Sequence, residues 1–365
     1  MNENYLLHNE TAKSLYFEYA KDLPIIALCS DFELDKTVYN NISEAFLLND
    51  CYKLDAMRDC RIDEKFITGD ASDYEKFAAF CSVLPQFAGH PLYLLSHIEL
   101  RNNFDCYLDI CEKNCEYIWK HCNSVIAKGS FSDETFTKKT KISFVDVFHP
   151  MVFNEIGNSD VIDLAKFESM MLEKVAKADE KGCKISVHSA IDSFERPNPY
   201  KANEIIQKIK NNVCPLTEEY RHLEMQIIRT LGMEYKKRDW TLIWIKEDLA
   251  DGINTYNNEK ALEYLESNNA LPRNYNLVYI DLEDDEKEIA EHIKRFSRKN
   301  ILGKFVFLPG IISPASAFAH VDYIRRIICN VIGEWVENGE YTSDEKILKK
   351  LIEDILYNNL KEAIN

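Results

Sequence analysis

Short apolar runs alternating with long amphipathic stretches restrict the fold of this chain more than any other feature. Runs at 25–29, 141–148, 183–188, 240–245, 276–280 and 304–308 have the length and composition of buried strands. Between and after them, residues 163–181, 216–238, 260–267, 285–296, 322–336 and 343–363 carry apolar side chains at helical spacing. Gly182 ends the first of these helices, and Thr217-Glu218-Glu219 supplies a cap and favourable charge to the second. Strands separated by helices imply parallel βαβ units, hence an α/β barrel or an open wound sheet.

The first strand is set apart from the others. A helix over 10–22, with Ala12, Leu15, Tyr16, Tyr19 and Ala20 on one face, leads through Pro24 into the run 25–29. From about 36 to 127 the pattern is helical without interruption, including 73–80 with Asp73 as its cap and 107–126. This block reads as a helical insertion after strand one, within a single domain spanning 1–365.

Charge and composition exclude several functions. A net charge of −17 argues against binding a nucleic-acid backbone, which needs a basic face. No run of 18 apolar residues occurs, so no membrane span is expected. The start, Met1-Asn2-Glu3-Asn4-Tyr5, lacks the features of a secretory leader, and a cytoplasmic location is expected. The eleven cysteines are scattered, odd in number and without a C-x-x-C pair, which points to reduced thiols. Cys106, Cys111, Cys115, His121 and Cys122 form the densest group. Positions 111 and 115 would share a helix face, which leaves a metal site open beside the simpler reading of small buried core residues. No G-x-G-x-x-G, P-loop, G-x-S-x-G or H-E-x-x-H is present.

Several long stretches in the right order resemble the uronate isomerases, a family of the amidohydrolase superfamily. Leu6-Leu7-His8-Asn9-Glu10-Thr11-Ala12 and Tyr19-Ala20-Lys21-Asp22-Leu23-Pro24-Ile25-Ile26 are similar to its N-terminus. Asp50-Cys51-Tyr52-Lys53-Leu54-Asp55-Ala56-Met57-Arg58 resembles its D-H-Y-K-W-R-A-M-R. Residues 67–77, Pro91-Leu92-Tyr93 with Glu99-Leu100, 323–330 and 333–341 carry further matches. The resemblance implies an eight-stranded (β/α) barrel with its chemistry at the C-terminal strand ends. It also implies a divalent metal such as zinc, held by two first-strand histidines and an aspartate ending strand eight. The implied reaction interconverts an aldose uronic acid such as glucuronate and its ketose form, with arginines gripping the carboxylate.

The frame survives while the site residues change. Cys29 and Asp31 stand where the family has its metal histidines, and Cys51 replaces the histidine before Tyr52. Asp55 replaces an arginine. Of the strand-four Asp-His-Gly only His188 persists, and the strand-five Gln-Leu-His falls on Ile243-Trp244-Ile245. The strand-eight metal aspartate falls on Ile311 and its neighbouring arginine on Ser313, while His320-Val321-Asp322-Tyr323 stands for Arg-His-Glu-Tyr. Two βα units are missing, those of strand two or three and of strand seven.

The expected fold is therefore a degenerate, incomplete (β/α)8 TIM-like barrel with about six recognisable strands. Its gaps would be covered by the loop 129–140, by the linker 297–303 or by a second copy of the chain. The leading functional expectation is a uronate isomerase homologue without metal or isomerase activity, kept for binding or assembly. The alternative is an active uronate isomerase, or another activity using a rebuilt site at the barrel mouth. Candidates for catalysis are Asp31, Tyr52 and His188, and for substrate binding Glu33 and His149. Cys29 and Asp31 are the only candidates for a metal, and no cofactor is expected. Expected partners are a sugar acid and a second copy of the chain, with nucleic acid and membrane excluded.

Overall fold

The computed structural model describes residues 3–29, 39–129, 133–150, 156, 160–188, 194–246, 253–273, 275–279, 286–298, 302–307 and 314–364. Helix α1 (Glu10–Ser14) continues as a π-helical turn over Leu15–Ala20 and leads into β1 (Ile25–Cys29). Asn9 caps α1 through the Ala12 N–H.

The described part of 39–127 is helical and contains no strand. A π turn (Ser43–Leu47) precedes α2 (Cys51–Asp59), α3 (Asp73–Val83), α4 (Pro91–Phe104) and α5 (Cys115–Ala127). The cap of α3 is Ser72 rather than Asp73, in a reciprocal capping box with Glu75. The predicted helix over 107–126 begins only at Cys115. Asp105, at φ 51°, terminates α4 in a left-handed turn. Beyond it, Ile110 N–H donates to His97 Nε2 at 2.9 Å, which pins 105–111 across α4 instead of letting it coil.

Helix α6 (Asp133–Thr140) occupies most of the segment expected to be a loop, and it packs on the long helix Pro314–Glu337 described below. Then follow β2 (Ile142–Asp146), α7 (Leu164–Glu180), β3 (Ile185–His188), α8 (Pro199–Lys210), α9 (Thr217–Arg238) and β4 (Thr241–Lys246). Helix α8 has no counterpart in the sequence reading. Asn198 caps it and Pro199 sits at its first position, where a missing N–H costs nothing. In α9 the cap comes from Glu219, whose carboxylate accepts the Leu216 N–H at 3.0 Å. The chain closes with α10 (Ile253–Ser267), β5 (Tyr275–Tyr279), α11 (Glu286–Arg298), β6 (Phe305–Phe307), α12 (Pro314–Glu337) and α13 (Glu345–Glu353). A π turn (Asp354–Asn358) then leads to α14 (Asn359–Ile364). No described helix is long and apolar enough to cross a membrane.

All six described strands pair in parallel and in chain order, β1 with β2, and β3 through β6 in sequence. Among the described residues a single parallel bridge, Phe148 to Ser186, joins the two sheets. Sequential order without reversal places the connecting helices on one face. Leu242 and Trp244 of that face pack into the core of α7 to α10. Ile26, Val147, Ile185, Val187 and Ile243 point the other way and form one cluster with Leu360 of α14. Among the described residues no pairing joins β6 to β1. The C-terminal segment spans that interval: it contacts β5 and β6 and places Leu360 beside Ile26. This cover is a helix, not the expected loop 129–140 or linker 297–303, of which Ser297 and Arg298 belong to α11.

Helix α12 anchors the N-terminal segment. Arg326 donates to Asp322 Oδ2 at 3.0 Å and to the carbonyl oxygens of Glu3 and Tyr5. Asp322 also accepts both the Tyr5 and Tyr16 hydroxyls. Gly333 lies so close to α1 that a Cβ there would come within 2.7 Å of Asn9 Oδ1 and 2.8 Å of Ala12 N.

Truncating Leu360 to alanine removes the side chain that plugs the apolar face of four strands. A loss of about 2–5 kcal/mol is expected, read as a lower denaturant midpoint at unchanged slope. A change near zero would mean that α14 does not seal this face.

Candidate functional site

The strongest concentration of buried charge lies inside the helical block. Asp50 caps α2 by accepting the Lys53 N–H at 3.1 Å, and three residues on a helix bring both side chains to one face. Lys53, only 1% exposed, therefore points into the core between α2 and α4. Its Nζ reaches Glu99 Oε2 at 2.5 Å, Asp50 Oδ2 at 3.1 Å and Phe46 O at 2.8 Å. It also lies 3.7 Å from the centroid of the Phe46 ring. Glu99, 4% exposed, faces inward from α4.

One ammonium thus serves two carboxylates away from water. Burial works against the Lys53 charge, but Asp50 and Glu99 outweigh it and hold the ammonium protonated, its pKa raised. Burial pushes the Glu99 carboxyl up to about 7, with Lys53 opposing and Asp50 adding to the rise. Such a group exchanges a proton near neutral pH, as acid–base chemistry requires. A cavity of about 180 Å3 opens beside it, lined by Tyr52, Asp55, Asp59, His90 and His320 among others. Asp55, where the family has an arginine, pairs with Arg58 at 2.7 Å, and Arg58 also holds Glu64 at 2.8 Å. The inverted charge at 55 is thus answered one turn away.

The sequence candidates do not converge on this cavity. Tyr52 lines it. His188 is buried on the helix-facing side of β3, where its Nε2 lies 3.0 Å from Ser186 Oγ and 3.2 Å from the Tyr235 hydroxyl of α9. The ring also stacks on Trp244. Burial, with His149 adding to it, holds His188 down at about 3, so it is neutral at physiological pH. His149 itself is exposed. Asp31 and Glu33 lie outside the described residues, as do Ile311 and Ser313, and Cys29 is described only as the backbone end of β1.

Lys53, Glu99 and His320 belong to the observed cavity but not to the sequence candidates. Lys53 and Glu99 sit in stretches that resemble the family and His320 stands where the family has an arginine, yet nothing in the spacing links position 53 to position 99. The cysteine group resolves into contacts in the core. The Cys122 thiol donates toward Cys106, holding Cys106 down at about 6 against its burial, and Cys81 pairs likewise with Cys115. Among the described residues no three metal-ligating side chains come together.

Glu99→Gln is expected to remove a pH dependence of stability. Because the folded carboxyl holds its proton up to about 7, against an ordinary 4.5, folding takes up a proton between these values. The wild type therefore loses stability relative to the glutamine variant as pH rises from 4.5 through 7. Parallel melting-temperature profiles for the two proteins over that range would show that Glu99 titrates normally.

The family model described as glucuronate isomerase matches residues 1–149 and 281–363. The uronate isomerase of Caldanaerobacter subterraneus subsp. tengcongensis is 28% identical over 466 aligned positions, covering 99% of this chain and 98% of the relative. In structure, the uronate isomerase of Thermotoga maritima superposes with a TM-score of 0.80 at 19% identity, covering 100% of this chain and 99% of that one. The glucuronate isomerase of Caulobacter crescentus gives a TM-score of 0.76 at 14% identity, covering 100% and 96%.

Proposed function

The chain belongs to the glucuronate isomerase family, as a shortened member of 365 residues, and from that premise we propose that it binds a sugar acid without carrying out metal-dependent isomerisation. The observation that carries this reading is the donor set at the metal positions. Cys29 offers a thiol, Asp31 a carboxylate and Ile311 nothing. His188, the one histidine retained at a strand end, has its Nε2 engaged by the Ser186 and Tyr235 hydroxyls. A metal site built on protein ligands usually needs at least three donors, so these residues do not fit the family's divalent metal.

The fold supports the same reading. Six parallel strands in sequential order, with a helix lying between the two ends of that order, suit a barrel that has lost two βα units. The retained sequence is concentrated in the N-terminal helical block and in α12, the parts that frame a ligand rather than the strand ends that hold a metal.

A second reading rests on Glu99. A carboxyl titrating at about 7 beside Lys53, in a cavity that Tyr52 lines, suits metal-free proton transfer on a ligand held there. Purified protein, assayed by NMR on glucuronate and galacturonate with and without added Zn2+ or Mn2+, separates the two. The expected result is no turnover under any condition, together with a thermal shift on adding the sugar acid. Metal-stimulated turnover that disappears in Asp31→Ala would overturn the proposal. Turnover that ignores metal and disappears in Glu99→Gln would favour the second reading.

A further inference from the structure

A second cavity, of about 260 Å3, lies at the opposite end of the strands from the positions just considered. Lys21, Asp22 and Leu23, which precede β1, form one wall, and Thr140 and Lys141, which precede β2, form another. The ends of α4 and α6 and the face of α12 complete it. We infer that this cavity binds a small, multiply charged oxyanion, either phosphate or a phosphate monoester.

Charge is the first argument. The chain carries a net −17, yet Lys21, Arg101, Lys139, Lys141 and Arg325 all line this one cavity. Among the described residues none of the five makes an ion pair with a carboxylate. The carboxylates that face them are Glu3, Asp22 and Asp322. Asp322 is saturated by the Tyr5 and Tyr16 hydroxyls and by Arg326. Five cations are thus left facing two carboxylates, Glu3 and Asp22. In an otherwise acidic molecule this reverses the local field and draws an anion to this one place.

The second argument is how the cations are held. Arg325 donates to the carbonyl oxygens of Lys21 at 3.0 Å and Leu23 at 2.7 Å. Lys139 donates to Asn102 O at 2.9 Å and Lys141 to Asp22 O at 3.4 Å. These acceptors are neutral, so they fix the side chains without cancelling their charge. Arg325 is nearly fully buried, and its Nε has no hydrogen-bond partner. A buried guanidinium without a counter-ion is costly, and an anion in the adjoining cavity would relieve that cost. Arg101 lies with its guanidinium 4.8 Å over the Tyr107 ring, a contact that leaves its charge uncancelled.

Size is the third. The cavity falls just below the roughly 300–1,000 Å3 of sites for drug-sized molecules, which suits a small ligand.

Calorimetric titration of the full chain with inorganic phosphate, and in a second arm with glucose 6-phosphate, tests the inference. Sodium chloride at matched ionic strength is the control. Saturable binding and a raised melting temperature are expected. In Arg101→Ala/Lys141→Ala the dissociation constant should rise tenfold or more while circular dichroism stays native. Lys236→Ala/Lys237→Ala, on the exposed face of α9, should bind as the wild type does. Tighter binding of glucose 6-phosphate than of phosphate identifies a monoester ligand, and equal binding identifies phosphate itself. Unchanged affinity in the Arg101/Lys141 variant, or an equal thermal shift with chloride, would overturn the site.

Discussion

The Asp322 carboxylate is the point on which the rest of the structure hangs. It accepts the hydroxyls of Tyr5 and Tyr16 and pairs with Arg326, whose guanidinium is sandwiched 3.7 and 4.0 Å from the two tyrosine rings. Burial, followed by the Asp322 charge, pushes both phenols far above their usual range, so they remain donors at any accessible pH. Arg325, the residue before Arg326, grips the main chain of Lys21, Leu23 and Pro24, just before β1. The first strand is thereby located by the last long helix. A buried charge is tolerable only when its hydrogen bonds are complete, and among the described residues of this cluster the open position is Arg325 Nε.

The helical block obeys the same rule with a different outcome. Lys53 sits among Asp50, Glu99 and the Phe46 carbonyl, and removing Lys53 would leave two carboxyl groups without a counter-charge in an apolar core. The triad ties α2 to α4 through the Lys53–Glu99 pair. With two acids to one base, it also leaves one carboxyl poised between its protonation states. A structural clamp and a reactive group are here the same three side chains.

The strands were legible because a buried parallel strand is a short apolar run, and 25–29, 183–188 and 240–245 fall within a residue or two of β1, β3 and β4. Helix α8 was not read from the sequence, although Pro199 at its first helical position is compatible with a helix. The helix expected over 107–126 forms only from Cys115 onward, because a tertiary bond, Ile110 to His97, outweighs local propensity at its start. The candidate site was less legible than the fold. Whether His188 faces the helices or the other side depends on strand register, and a one-residue shift reverses it. The meeting of Lys53 with Glu99 depends on how α2 packs on α4, which no local pattern encodes. The C-terminal helix reads correctly as a helix, but its place across β1 to β6 follows from which apolar face was left bare.

That placement bears on how the protein is made. Helix α14 follows every strand in the chain, so while a ribosome is still synthesising α12 and α13 the face formed by Ile26, Val147, Ile185, Val187 and Ile243 has no partner. A nascent chain of this design leaves that apolar cluster uncovered by Leu360 until α14 has been made. Its demand on holding chaperones therefore lasts until α14 emerges, and a fragment that lacks α14 is expected to be aggregation-prone.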